Sequence, residues 1–377
     1  MLRYILSLFD GMSCGQIALK ELGIEYECYY ASEIDKHAIR QTMLNFPATV
    51  QLGDVNEWKN WAINWSKVDL ILAGSPCQGF SRAGKQLAFD DPRSILFFEF
   101  INILEHTRKF NPDVKFLLEN VKMKREHMRV INEYVGIFPV NINSALVSAQ
   151  NRDRLYWTDI RTKTSGLFDE VHVDIPQPED EGIFLKDILD KEVDKKYYIS
   201  QSVIDRMIRK KYSSPLLNPC KAGTLSTKNN SGQMSLDSGT MFISDVPKAN
   251  LILQRCRGNN NGGIHQDKSP TLSAQAWEQN NLVVSGTLRT RKNDSGFREV
   301  KTGKAAPILA RAREDGEGQN VCFIGNKIRR LTTTECDRLQ TIPEWYKWMC
   351  SETQHYRLLG NGWTIRVITH LLKFLKE

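Results

Sequence analysis

Three things are missing from this 377-residue chain: a long apolar run, a CxxC pair and a GxGxxG loop. No apolar stretch approaches the ~20 residues needed to span a bilayer, so a membrane span is excluded. The eight cysteines, at positions 14, 28, 77, 220, 256, 322, 336 and 350, are scattered. Without paired spacing they speak for reduced thiols in a cytoplasmic protein and against a zinc site, and no metal is expected. The lack of GxGxxG counts against a nicotinamide dinucleotide. Residues 1–6 run straight into a strand-like segment, which leaves no room for a signal peptide.

What is present is the composition of an ordinary soluble protein, 41% hydrophobic and 25% charged, in a chain long enough for two domains. The net charge of +7 is unevenly spread. Residues 201–330 hold 21 Lys/Arg against 10 Asp/Glu, a net of +11, and the remainder holds 30 against 34, a net of −4. Basicity confined to one internal segment points to a polyanionic partner bound there.

The first 160 residues alternate strand-like and helix-like segments. Strands are expected over 4–9, 26–31, 68–73, 114–118, 136–142 and 155–160, and helices over 15–22, 35–45 and 94–108. This alternation predicts an α/β fold with a doubly wound, mostly parallel, Rossmann-like sheet. Ligands of such sheets sit beyond the carboxyl ends of the strands.

The chemistry-bearing residues cluster at those ends. The loop Phe9-Asp10-Gly11-Met12-Ser13-Cys14-Gly15 follows the first strand, and its glycines allow close backbone approach to a ligand. Glu33 stands 22 residues beyond Gly11, at the end of the second strand, where an acidic residue takes ribose hydroxyls. Asp54 is placed to meet an adenine amino group. The spacing points to an adenosyl cofactor without a pyrophosphate. Cys77, in Gly74-Ser75-Pro76-Cys77-Gln78-Gly79-Phe80-Ser81, lies just past a buried-strand pattern and is either a presented nucleophile or a small packed thiol. Glu119, ending the strand Phe116-Leu117-Leu118-Glu119, is either an acid in the same cleft, or a helix N-cap or solvated strand end. Arg152 and Arg154 flank Asp153 at alternate positions entering a strand, so either both face one site or they form a surface ion cluster with Asp153.

The ordered set FxGxxxG, SEID, GD, GSPCQGFS, ENV, QNRDR and a terminal LLGNGWT resembles the cytosine-5 DNA methyltransferases over residues 4–160 and 328–377. One departure is DGMSCG where many members have AGxGG. The resemblance implies S-adenosylmethionine as methyl donor, bound by Phe9, Gly11, Ser13, Glu33, Ile34, Asp54, Val55, Pro76, Leu96, Asn361 and Trp363. It implies a cytosine flipped from double-stranded DNA, with Cys77 attacking carbon 6, Glu119 bonding N3 and the exocyclic amine, Arg154 contacting the base oxygen and Arg152 supporting the site. Gln78 and Ser81 match positions that touch DNA, and Arg82 and Lys85 are candidates for phosphate contacts.

The resemblance also divides the chain: a catalytic domain over 1–165, a smaller β-rich target recognition domain over 166–328, and a return to the catalytic domain over 329–377. Half of the 24 glycines fall in residues 201–330. A loose turn–strand echo recurs there at 223–228, 270–274, 286–291 and 307–313. Arg255, Arg257, Arg289, Arg291 and Arg311 are candidates to read bases or touch phosphates. Residues 329–335 read as an N-capped helix start, and 365–375 as a final apolar helix behind a glycine turn. A monomer in a bacterial cell or phage-infected host is expected, with any cognate restriction endonuclease not directly bound. The competing readings are a transfer-RNA cytosine methyltransferase and a catalytically dead DNA-binding paralogue.

Overall fold

The computed structural model describes residues 1–74, 95–166, 169–197, 251–254, 263–266, 269–270, 281–284 and 328–376. Pro76, Cys77, Gln78, Ser81, Arg82, Lys85, Arg255, Arg257, Arg289, Arg291 and Arg311 lie outside them, as does all of the turn–strand echo except Pro270. The chain divides into two compact units. One contains Met1–Ile183 and Cys336–Glu377, and the other contains Phe184–Pro270 and Glu278–Glu335.

The first unit is built on a seven-stranded sheet. Its strands are β1 (Leu2–Leu8), β2 (Tyr26–Ser32), β3 (Val50–Gln51), β4 (Val68–Gly74), β5 (Lys115–Val121), β6 (Val140–Asn143) and, after the two-residue β7 (Gln150–Asn151) that is not part of it, β8 (Asp153–Thr158). The order is β3-β2-β1-β4-β5-β8-β6. Pairings from β3 through to β5 are parallel, whereas β8 runs antiparallel to both β5 and β6. Strand order reverses between β1 and β4, which opens a crevice at their carboxyl ends. The central strands are unbroken apolar runs because both sheet faces are covered: Ile5, Leu6, Leu70, Ile71, Leu72, Phe116, Leu117 and Leu118 are all fully buried.

Four helices follow strands in this half: α1 (Cys14–Glu21), α2 (Lys36–Asn45), α3 (Ile95–Phe110) and α4 (Arg125–Val135). Asp35 caps α2 by accepting from the His37 amide at 3.0 Å. The strand expected over 136–142 starts only at Val140. Gly136 adopts φ 76° as the C-cap of α4, and Pro139 has no N–H to give a ladder. The final apolar segment is a helix over Ile365–Leu372 that tightens to 3₁₀ over Lys373–Lys376, and it packs on α1. A further helix, Glu352–Asn361, precedes the glycine turn.

In the second unit, the described strands Gly263–Gln266, Leu251–Gln254, Asn281–Val284 and Ile328–Arg330 form an antiparallel sheet in that order. The expected helix start is a capping box. Thr332 Oγ1 accepts from the Glu335 amide at 3.1 Å, and Glu335 Oε2 accepts from the Thr332 amide at 2.7 Å. Among the described residues no helix is long and apolar enough to cross a membrane.

Candidate active site

The first component of the site is the turn after β1. Phe9, Gly11 and Ser13 all take positive φ, at 58°, 58° and 65°, so the chain coils left-handed before α1 begins. Gly11 N–H donates to Glu33 Oε2 at 2.8 Å. Glu33 Oε1 accepts from the Ile34 and Asp35 amides at 2.7 and 2.8 Å. The carboxylate at the end of β2 therefore locks the glycine loop to the start of α2. Beside it Ile34 is 74% exposed, an apolar side chain left at the mouth.

Asp54 caps the 3₁₀ turn Val55–Asn60, its Oδ1 accepting from the Asn56 amide at 2.9 Å. Val55 is buried, Leu96 is half-buried near the start of α3, and Asn361 is exposed at the end of its helix. Ser13 is fully buried, with its hydroxyl accepting from Gln16. Asp10 is buried with it. Its Oδ1 accepts from the Tyr29 hydroxyl at 3.0 Å, and its Oδ2 finds no hydrogen-bond donor among the described residues. Burial pushes the Asp10 carboxyl up to about 6.

The second component is decided by register. Val121 pairs with Arg154 and Glu119 with Tyr156 across the antiparallel β5–β8 ladder. Paired residues share a face, so the Arg154 and Glu119 side chains meet diagonally. Arg154 Nε lies 2.9 Å from Glu119 Oε1, with the side chains 13% and 11% exposed. The N–H does not aim along that line, so the contact is an ion pair rather than an aligned hydrogen bond. Arg154 also donates to the Asp153 carbonyl at 2.9 Å.

Arg152 and Arg154 do not share a task. Arg152 lies in the break between β7 and β8, where strand alternation no longer governs direction. Its guanidinium is buried and donates to the carbonyls of Gly362 at 2.9 Å and Gly360 at 3.4 Å. Burial, with Arg154 as a like-charged neighbour, draws its pKa down to about 10. Asp153 pairs with Lys122 at 3.0 Å instead of with either arginine, so the surface-cluster alternative does not hold.

Trp363 completes the site. Its indole N–H donates to Glu119 Oε2 at 3.2 Å. The ring fills the room beside Gly74, the register partner of Glu119 on β4. The backbone amide of Trp363 donates to Cys14 Sγ at 3.3 Å, and burial pushes that thiol up to about 12, keeping it neutral. Gln340 Nε2 donates to the Leu359 carbonyl, and Thr364 Oγ1 donates to Gln340 Oε1. Gly74, Cys14 and Gln340 were not singled out by sequence reasoning. Only the Gly74 position carried a signal, as a glycine at the carboxyl end of a buried strand.

A carboxylate held between a guanidinium and an indole N–H, at the carboxyl end of a strand beside the one leading into Pro76-Cys77, is an arrangement suited to proton and hydrogen-bond chemistry. The family profile described as C-5 cytosine-specific DNA methylase matches residues 4–377. The chain belongs to that family. It is 27% identical to the orphan methyltransferase M.SPRI of Bacillus phage SPR, over 98% of this chain and 97% of that one. It is 33% identical to the type II methyltransferase M.DsaV of Dactylococcopsis salina, over 96% of this chain and 83% of that one. Among solved structures a mutant of Spodoptera frugiperda DNMT2 superposes over the whole of both chains with a TM-score of 0.57 at 21% identity, a likeness of fold. Members of this methyltransferase family depend on S-adenosylmethionine.

Proposed function

We propose that this chain transfers a methyl group from S-adenosylmethionine to carbon 5 of a cytosine flipped out of a specific double-stranded DNA sequence, through a covalent adduct on Cys77. The observation that carries the reading is the Glu119 carboxylate held by Arg154. It stands opposite Gly74, three residues before Cys77, at the carboxyl edge of a family-typical sheet.

The residues on the crevice fit an adenosyl donor. A carboxylate offers about four acceptor sites, and Glu33 uses three of them on backbone N–H groups, leaving capacity for a ribose hydroxyl. Ile34 offers an exposed apolar side chain to the adenine, and Asp54 and Val55 stand at the start of the adjoining turn. Phe9, Gly11, Ser13, Pro76, Leu96, Asn361 and Trp363 would complete the pocket. When bound, this donor supplies an electrophilic methyl group.

The chain's own groups do the rest. The Cys77 thiolate adds to carbon 6 and makes carbon 5 nucleophilic. Glu119 bonds N3 and the exocyclic amine and favours the electron-rich form of the ring. Arg154 contacts the base oxygen and steadies Glu119. After carbon 5 is methylated, a base or water removes its displaced proton and Cys77 departs, restoring the double bond. Gln78 and Ser81 meet the DNA beside the flipped base, and Arg82 and Lys85 meet phosphates. The segment over 166–328 recognises the target, with Arg255, Arg257, Arg289, Arg291 and Arg311 among its contacts.

Incubation with labelled S-adenosylmethionine, mixed-sequence duplex DNA and transfer RNA tests the reading. Label is expected in DNA. Label confined to transfer RNA would overturn the substrate assignment, and full activity of Cys77→Ala would overturn the adduct. DNA affinity is expected to fall steeply with added salt as phosphate contacts release counterions. A flat response would remove the role given to the basic segment.

A further inference from the structure

The Glu119 carboxylate is gripped on both oxygens, and the two grips trace back to the two arginines of the Gln150-Asn151-Arg152-Asp153-Arg154 motif. Arg154 holds Oε1 directly at 2.9 Å. Trp363 holds Oε2 through its indole N–H at 3.2 Å. Trp363 in turn sits on a turn whose carbonyls, at Gly360 and Gly362, are bonded by Arg152. Gln340 pins the same turn at Leu359 and Thr364, and Cys14 pins the Trp363 amide. The indole has little freedom to leave, since it is 9% exposed and lies against the bare backbone of Gly74.

We infer that Trp363 is a positioning residue for the reaction, orienting Glu119 toward the base, and that Arg152 acts on Glu119 through it. This deepens the proposed cytosine chemistry and rests on that reading. Glu119 has to present its oxygens to N3 and the exocyclic amine in one plane. A free glutamate side chain has three rotatable bonds, and fixing them costs rotamer freedom. A carboxylate fixed before the base arrives has already met that cost, so its orientation is not part of the barrier. An N–H on one oxygen and a guanidinium on the other set both the position and the plane of the group. The role differs from that of a wall of the donor pocket, and the two roles separate kinetically.

The test is steady-state methylation of duplex DNA by Trp363→Phe, which keeps an aromatic ring against Gly74 and loses the donor. Trp363→3-benzothienylalanine, an isostere with sulfur in place of the N–H, serves if the phenylalanine variant packs poorly. Loss of a hydrogen bond to a charged group predicts a fall in kcat of about ten- to a hundredfold. The KM for S-adenosylmethionine and its directly measured Kd are expected to stay within about twofold, since the aromatic wall is kept and only the N–H to Glu119 is lost. Arg152→Lys is expected to lower kcat also. Because it acts through Trp363, the double variant should lose little beyond the larger single loss.

Unchanged kcat with a raised KM for the methyl donor would overturn the inference, making Trp363 a pocket wall only. Multiplying losses in the double variant would overturn the link from Arg152. If the unaltered protein methylates neither DNA nor transfer RNA, the cytosine reading itself falls and this inference with it.

Discussion

Gly74 and Trp363 share one space: a Cβ built on Gly74 would stand 2.9 Å from Trp363 Nε1 and 3.1–3.2 Å from two carbons of the same ring. The ring is tethered through its backbone to Cys14, so it cannot withdraw without moving the turn that Arg152 and Gln340 hold. Gly74→Ala is therefore expected to destabilise the protein by about 1–3 kcal/mol, as overpacking does. Urea denaturation measures this. A midpoint equal to that of the unaltered protein would mean the ring swings aside freely.

The Arg154–Glu119 pair is largely withdrawn from solvent, at 13% and 11% side-chain exposure. Arg154→Met leaves the carboxylate with only the Trp363 N–H among the described residues, and a loss of about 3 kcal/mol is expected. Adding Glu119→Gln removes the stranded charge, and stability should partly return. Thermal unfolding of the single and double variants decides it; an additive loss would contradict the pairing.

Asp10 makes a prediction about pH. Its carboxyl is raised by burial from an ordinary value of 3.8 to about 6. Between about pH 4 and 6 the folded state then holds more protons than the unfolded state, so this group lowers stability as pH rises through that window. Asp10→Asn keeps an acceptor for the Tyr29 hydroxyl and removes the titration. Its stability relative to the unaltered chain should be about 2 kcal/mol more favourable at pH 8 than at pH 4. A pH-independent difference would show that Asp10 titrates normally.

Glu33 supports the glycine loop with three backbone N–H contacts. Glu33→Gln turns one acceptor oxygen into an amide nitrogen that faces donors. At least about tenfold weaker binding of S-adenosylmethionine is expected by calorimetry, matching the loss of one charge-assisted bond. Unaltered affinity would separate Glu33 from the donor pocket.

Much of this arrangement was legible in the residues. The runs in β1, β4 and β5 are apolar throughout because both faces of a central strand are buried, and they stand out from any surface strand. Asp35, and Thr332 with Glu335, mark helix starts through capping chemistry that is local in sequence. The helix α4 was not foreseen, because among its eleven residues only Ile131, Asn132 and Val135 are buried and the apolar stripe is thin. The antiparallel direction of β8 was also hidden, since strand periodicity is the same in either direction.

The sequence by itself determined the family, the α/β sheet and the order of its chemical groups. These depend on residue type and spacing, and a local pattern survives without knowledge of the fold. The tertiary structure alone decided what each group holds. Two arginines two residues apart took different partners because a break between β7 and β8 separates them. A glycine on β4 and a tryptophan 289 residues later met at one carboxylate because strand register and the docking of the C-terminal turn brought them there. Contacts between residues so far apart in the chain leave no periodic trace, and only packing reveals them.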